Sequence, residues 1–409
     1  MRRQQTRPAV AVHGLFVVFG LVIAAFFPFL AIYLNARGIE AGEIGLVILV
    51  MAIGRSIFLP IWGHVADTTF GRVAVLRWGA IGTAIAAFSM NVVHGVWGIA
   101  AVAFVASAFM VAIGPNIDAI ALTHLGEERM SDYGRIRAWE SLSYAAACLL
   151  FGSILQAVGV ELAMPFFAIA SVAVLVWSTF LPPDRPAQVT RHGRMGAVGA
   201  VFREAPRFWG FLAAVFLLWT GFNAAWNFFS LKIEDAGGGP FLVGVGTALG
   251  GMIEVPVMRF SSRLQRRWGL RRVYVLGCGV YALGFLAWGV AESPTVLAVL
   301  TSLEGVAFAL IFTSTVVVVG KLLPASLYST GNSVVALVGF GIGPVLGAGV
   351  GGFAYQYLGS TVTFTGAAVL AVLAAGVAWI ALSPPALSQP GDLPAIPPPG
   401  IEPEPGIVP

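Results

Sequence analysis

Apolar residues run along this chain in stretches of about twenty, separated by short polar segments rich in glycine, proline or arginine. Twelve such stretches predict twelve helices. The first six cover roughly 10–34, 42–66, 74–94, 96–123, 136–158 and 161–181. The second six cover roughly 207–231, 242–262, 273–291, 294–320, 328–353 and 361–382. Runs of this length match a bilayer core and exceed the ~10 residues of a membrane-barrel strand. Glycine and proline inside them do not exclude helix, because neighbouring helices can satisfy the freed backbone groups. The pattern predicts an all-α polytopic membrane protein with its spans in two six-helix bundles.

Composition removes the soluble alternatives. Of 409 residues, 58% are hydrophobic and 10% charged, where soluble domains carry about 25% charge. Mean hydropathy is +0.88. A globule of this size has too few charges to cover its surface. Cys148 and Cys278 lie inside apolar runs without CxxC spacing, which predicts buried small side chains rather than a disulfide or metal site. The apolar stretch after MRRQQTRP is too long for a signal sequence and lacks a cleavage site, predicting a retained first helix.

Charge then orients the chain. With a cytoplasmic N-terminus, 20 of the 23 Lys and Arg residues fall on one side, including Arg72, Arg77 and six between Arg259 and Arg272. Only Arg37 and Lys232 fall on the other side, and Arg55 is mid-span. This asymmetry predicts cytoplasmic termini in a bacterial-type inner membrane. It also explains a net charge of +4 without nucleic acid. The predicted organisation is a cytoplasmic tail 1–9, a bundle 10–182, a basic linker 183–206, a second bundle 207–383 and a Pro-rich tail 384–409. The tail holds ten prolines in 26 residues and no basic residue, and reads as disordered.

The halves look related. Val243-Gly244 matches Ile44-Gly45 at an offset of 199, and an arginine-flanked glycine turn follows the next helix in each half. A six-plus-six repeat is the layout expected when a central site lies between two rocking bundles.

Ionisable residues inside spans are costly, and each is a functional candidate. Glu254 lies near mid-depth of span 8, where a carboxyl group can gain a proton from one side and release it to the other. A structural ion pair is the plainer reading. Glu304 in span 10 has no basic neighbour in sequence and offers either proton work or a hydrogen bond within the bundle. Asp118 follows Pro115, which should kink its helix, and is either a site carboxylate or a wet vestibule group. Arg137 either pairs with Glu140 one turn on or forks onto a substrate. Arg55 needs a counter-ion, which Asp118 or Glu140 could supply. Trp219, Asn223, Trp226 and Asn227 share one face of span 7, suited to stacking a ring and bonding its polar edge.

The glycine run Gly339-x-Gly341-x-Gly343-Pro344-x-x-Gly347 superficially offers a dinucleotide loop. No strand precedes it, so close helix packing is the better reading. The five histidines are scattered, and no hydrolytic, phosphate-binding or metal motif occurs. The expectation is no enzyme, no cofactor and no metal.

The loop GHVADTTFGR at 63–72, its echo RLQRRWGLRR at 263–272 and the six-plus-six layout resemble the major facilitator superfamily. The family's loop pattern runs Asp-basic-x-Gly-basic. Here Thr68 follows Asp67, and one extra residue precedes Gly71. The resemblance implies a gate-clamping role for Asp67, Gly71 and Arg72. TyrGlyArgIleArgAlaTrp at 133–139 and GluValProValMet at 254–258 are similar to the branch holding phenylpropionate permeases, lactose permease and nucleoside–proton symporters. In lactose permease an acid in helix 4, an Arg in helix 5 and a Glu in helix 8 form the sugar site. The resemblance puts those roles on Asp118, Arg137 and Glu254.

The expected function is a proton-coupled symporter, acting as a monomer and importing an aromatic acid, nucleoside or sugar. Glu254 and Glu304 are the proton-coupling candidates. A proton-driven exporter is the alternative: the glycine run resembles the superfamily's antiporter motif, but it sits in span 11 rather than span 5. A membrane receptor is a more remote reading, because no signalling domain is recognisable.

Overall fold

The computed structural model describes residues 2–125, 132–181, 184, 206–324 and 327–383. Among these no strand forms, and the helices follow the apolar runs. They are α1 (Arg2–Phe26, resumed as Leu30–Ala36), α2 (Ala41–Val65, ending in a π-helical turn Ala66–Phe70), α3 (Arg72–Ser89), α4 (Val96–Met110, resumed as Ile113–Leu125), α5 (Tyr133–Val158) and α6 (Ala163–Trp177). The second set is α7 (Pro206–Asp235), α8 (Pro240–Trp268), α9 (Leu270–Val290), α10 (Pro294–Leu322), α11 (Tyr328–Ala336, a π-helical segment Leu337–Ile342 and Gly343–Leu358) and α12 (Ser360–Ala381). Among the described residues eleven are long and apolar enough to cross a membrane, and α3, with 18 residues, is not among them. Helix α1 begins at Arg2, within the expected tail 1–9. Apart from Asp184, the expected linker 183–206 lies outside the described residues up to Pro206, as does the whole tail 384–409.

Three helices are interrupted, and a proline explains each. A proline ring collides with the carbonyl four residues earlier and restricts the residue before it. The α1 break surrounds Pro28, the α4 break at Val111 stands four residues before Pro115, and the π-helical segment of α11 contains Phe340, four before Pro344.

Within the first set α1 packs on α5 and α6, α2 on α4, and α3 on α4 and α6. Within the second, α7 packs on α11 and α12, α8 on α10, and α9 on α10 and α12. Two extensive crossings join the sets, α2 with α11 and α5 with α8, and the end of α1 touches α7 more slightly. Both extensive crossings rest on glycine. A Cβ on Gly45 would stand 2.9 Å from the Gly352 Cα, and one on Gly152 would stand 3.3 Å from the Gly244 Cα. Only hydrogen side chains allow backbones this close. The flanking hydrogen bonds repeat the symmetry. The Gly42 amide donates to Gln356 Oε1 at 2.8 Å, and the Phe241 amide donates to Gln156 Oε1 at 3.4 Å.

These contacts lie on the face carrying the α1–α2 and α7–α8 loops, which is poor in cations. Toward the opposite, arginine-rich face the two sets splay. Helix α2 is buried at Gly42, Ile44, Gly45, Val47, Met51, Ala52 and Gly54, but Ile57, Leu59 and Ile61 are exposed. Helix α8 is buried through Gly250, while Met252, Val255 and Phe260 are exposed. The molecule is closed at its cation-poor face and open toward its cation-rich face.

Candidate substrate cavity and charged clusters

A cavity of about 250 Å³ lies between the two helix sets, inside the closed end. Every broken helix reaches it at its break: Phe26 and Phe27 from α1, Met110 from α4, and Phe340 and Pro344 from α11. Interrupted helices at mid-depth expose backbone and side-chain groups that a continuous helix would hide.

Helix α7 supplies one wall. The 3.6-residue repeat brings Trp219, Asn223, Trp226 and Asn227 onto the cavity together, as their spacing predicts. Each amide donates one N–H to the carbonyl four residues back, Asn223 to Trp219 and Asn227 to Asn223, both at 2.8 Å. That fixes their rotamers and leaves the amide oxygens uncommitted. Aromatic rings tile the surface between them. Trp219 lies 4.7 Å from Phe340 and edge-on to Phe308 at 6.0 Å, and Phe222 stacks on Trp226 at 5.7 Å. The glycine run is the reason α7 and α11 meet closely: Trp219 fills the space over Gly339 and Gly343, and Ala224 sits on Gly351.

Across the cavity, Arg55 of α2 is its cation. The expected counter-ions are not there. The salt bridges found are Asp67–Arg72, Asp132–Arg135 and Asp118–Arg137, and Arg55 makes neither an ion pair nor a hydrogen bond among the described residues. A half-buried guanidinium carries five N–H donors, and here they face a cavity lined by rings and two amides.

Asp118 and Arg137 form a separate cluster between α4 and α5, nearer the cation-rich face. Arg137 Nη1 donates to Asp118 Oδ2 at 3.2 Å, and the Tyr133 hydroxyl donates to Asp118 Oδ1 at 2.7 Å. Arg137 also donates to the Tyr133 oxygen at 3.0 Å. Neither Asp118 nor Arg137 lines the cavity. Arg137 turns to Asp118 rather than Glu140, and Glu140 forms no ion pair among the described residues. The resemblance had joined Asp118, Arg137 and Glu254 in one site, and the structure separates them. The i,i+4 step from Tyr133 to Arg137 aims both groups at α4, away from α8.

Glu254 joins a different set. Glu304 of α10 is 6% exposed, and an added Cβ on Gly250 of α8 would stand 3.2 Å from its Oε2. Glu254, one turn beyond Gly250, completes a pair of carboxyl groups at the α8–α10 crossing. Tyr144 of α5 faces both, and Tyr281 of α9 lies against Glu304. Cys148, one turn beyond Tyr144, is buried and free, as is Cys278. No salt bridge reaches either carboxyl group among the described residues. The pair therefore sits on the seam where α5 of one half meets α8 of the other.

The Asp67 loop is built for a turn. Gly71 has φ +81°, a conformation other residues rarely adopt, and a Cβ there would press on Asp184. Asp184 caps α3 by accepting the Arg72 amide at 2.6 Å and the Val73 amide at 3.0 Å. Arg72 pairs with Asp67 at 3.6 Å and donates to Thr123 at 2.9 Å, tying the loop to the end of α4. None of these contacts reaches the second half.

A model of the MFS_1 like family matches residues 12–366. The chain belongs to this family. Among relatives of this MFS_1 like protein, the maltose permease of Geobacillus stearothermophilus is 27% identical over 351 residues, covering 83% of this chain and 85% of that permease. The probable 3-phenylpropionic acid transporter of Escherichia coli (strain K12) is 25% identical over 276 residues, covering 66% and 71%. The crystal structure of the nucleoside transporter NupG superposes with a TM-score of 0.81 at 16% identity, over 91% of this chain and 98% of that one. The protein is a multi-pass membrane transporter with the major facilitator fold.

Several site residues escaped the sequence reading. Tyr144 follows Glu140 by one turn, and Tyr281 is a lone hydroxyl in an apolar helix, so both carried a weak signal. Phe26, Phe308 and Phe340 carried none, because aromatic residues abound in these spans.

Proposed function

We propose that the protein is a proton-coupled symporter importing a small organic anion, a carboxylate with an aromatic body, by alternating access. The observation that carries this reading is Arg55, a guanidinium without a protein partner, facing an aromatic-walled cavity between the halves. Even a half-buried cation without a counter-ion is costly between helices, and a substrate carboxylate would lower the cost by bidentate hydrogen bonding. Trp219, Trp226 and Phe340 would hold the ring, and Asn223 and Asn227 its polar edge. Among aromatic acids, nucleosides and sugars, only the acid answers the charge. The name of the 3-phenylpropionic acid relative agrees.

The moving bodies in this reading are residues 10–182 and 207–383, with the cation-rich face in the cytoplasm. Glu254 and Glu304 take up a proton when the cavity faces outward, and loss of that proton accompanies release inside. Their place on the α5–α8 seam supports coupling, because protonation there changes the charge at a contact that must rearrange.

The experiment is a thermal-shift panel on purified protein with aromatic carboxylates, their amides, nucleosides and maltose. Saturation at about 100 times Kd adds about 2.7 kcal/mol to stability. A carboxylate should raise the melting temperature, its amide should not, and Arg55→Gln should cut the shift by about half or more. A shift with nucleoside or maltose and none with any carboxylate would overturn the substrate class.

A further inference from the structure

On the cation-rich face, away from the central cavity, four helix ends enclose a second pocket of about 760 Å³. Helix α8 ends there at Trp268, Gly269 turns the chain at φ +84°, α9 begins at Leu270, and the last turns of α10 and α12 close the sides. Its charged lining is all basic, Arg266, Arg271, Arg272 and Lys321, joined by the neutral Ser262 and Gln265 and by no carboxylate. None of the four forms a salt bridge among the described residues. Arg271 lies flat on Trp379, 3.6 Å from the ring centroid, and its Nε is buried without a hydrogen-bond partner. The first amides of α9 have no side-chain cap, so the positive end of that helix opens on the same space.

Beside these cations the lining is apolar. Val317 and Trp379 are exposed along helices long and apolar enough to cross a membrane. The pocket thus joins a nest of unpaired cations at the helix ends to an apolar surface on the bilayer side, and tryptophans mark the boundary. We propose that it binds the phosphate headgroup of an anionic membrane phospholipid, with the cations on the phosphate and the acyl chains along Val317 and Trp379. A free phosphate would use the same cations but leave the apolar wall uncovered. Basic pockets between helix ends are the geometry that recognises such headgroups.

Native mass spectrometry of the full chain, given phosphatidylglycerol and phosphatidylethanolamine of matched chain length, tests this. Wild type should retain phosphatidylglycerol over phosphatidylethanolamine by about tenfold or more. The R266Q/R272Q/K321Q variant should lose that preference, and the charge-keeping R266K/R272K/K321R variant should retain it. The single variants Arg266→Gln and Lys321→Gln should each lose part of it, a readout that survives if the triple variant fails to fold. Arg135→Gln, an exposed cation in the other half, should leave it unchanged. Equal retention of the two lipids, or a preference indifferent to the pocket variants, would overturn the proposal. So would displacement of the lipid by inorganic phosphate alone, which would make free phosphate the ligand.

Discussion

Arg55 and Arg137 are both arginines inside spans, and their surroundings give them opposite work. Arg137 spends its donors on Asp118 and Tyr133, and with side chains 50% and 33% exposed that ion pair contributes little beyond about 1 kcal/mol. Arg55 spends none on the protein. Arg55→Gln should therefore weaken carboxylate binding by about 1.5–3 kcal/mol, roughly ten- to a hundredfold, read by quenching of Trp219 and Trp226 fluorescence. Arg55→Lys should fall between, since an ammonium keeps the charge but loses the planar fork. Asp118→Asn removes a partner that never touches the cavity, and carboxylate affinity should stay within about twofold of wild type. Loss of binding in Asp118→Asn would restore the site that the resemblance to lactose permease implies.

At the scale of helices, the glycine crossings carry the conformational argument. A Cβ on Gly352 would stand 2.7 Å from the Ala41 carbonyl and 2.8 Å from the Gly45 Cα, and neither is a flexible side chain. Gly352→Ala should oppose closure of the cation-poor face by about 1–3 kcal/mol. Spin labels on the exposed residues Val158 and Tyr357 should then report a longer distance across that face. An unchanged distance would mean the crossing does not hold the state. Much of this scale was legible in the sequence. The apolar runs located the helices, and the 199-residue offset of Gly45 and Gly244 marked two residues that the structure places in equivalent crossings. Pro115 announced the α4 break. What sequence could not supply was the side of the helix each charge occupies relative to its neighbours. Depth follows from counting residues along a span, and it set Glu254 near mid-depth; the grouping of Asp118, Arg137 and Glu254 came from the resemblance to lactose permease. Azimuth depends on packing, which turns Arg137 toward α4 and Glu254 toward α10. The missing partner of Arg55 was invisible for the same reason, since a counter-ion exists only in three dimensions.

For the whole molecule, closure at one face and splaying at the other describe one end of an alternating cycle. Locking that end should stop transport. A disulfide between cysteines introduced at Gly42 and Gln356, whose groups touch across the α2–α11 crossing, should block uptake, and reductant should restore it. Transport that continued with the bridge intact would rule out opening of this face. The direct test of proton-coupled carriage is uptake of an aromatic carboxylate into proteoliposomes with an acid exterior. Wild type should concentrate the solute above equilibrium until a protonophore collapses the gradient. The E254Q/E304Q variant should exchange solute across the membrane yet never concentrate it. Accumulation that persisted in that variant, or in wild type after the gradient was gone, would contradict the account.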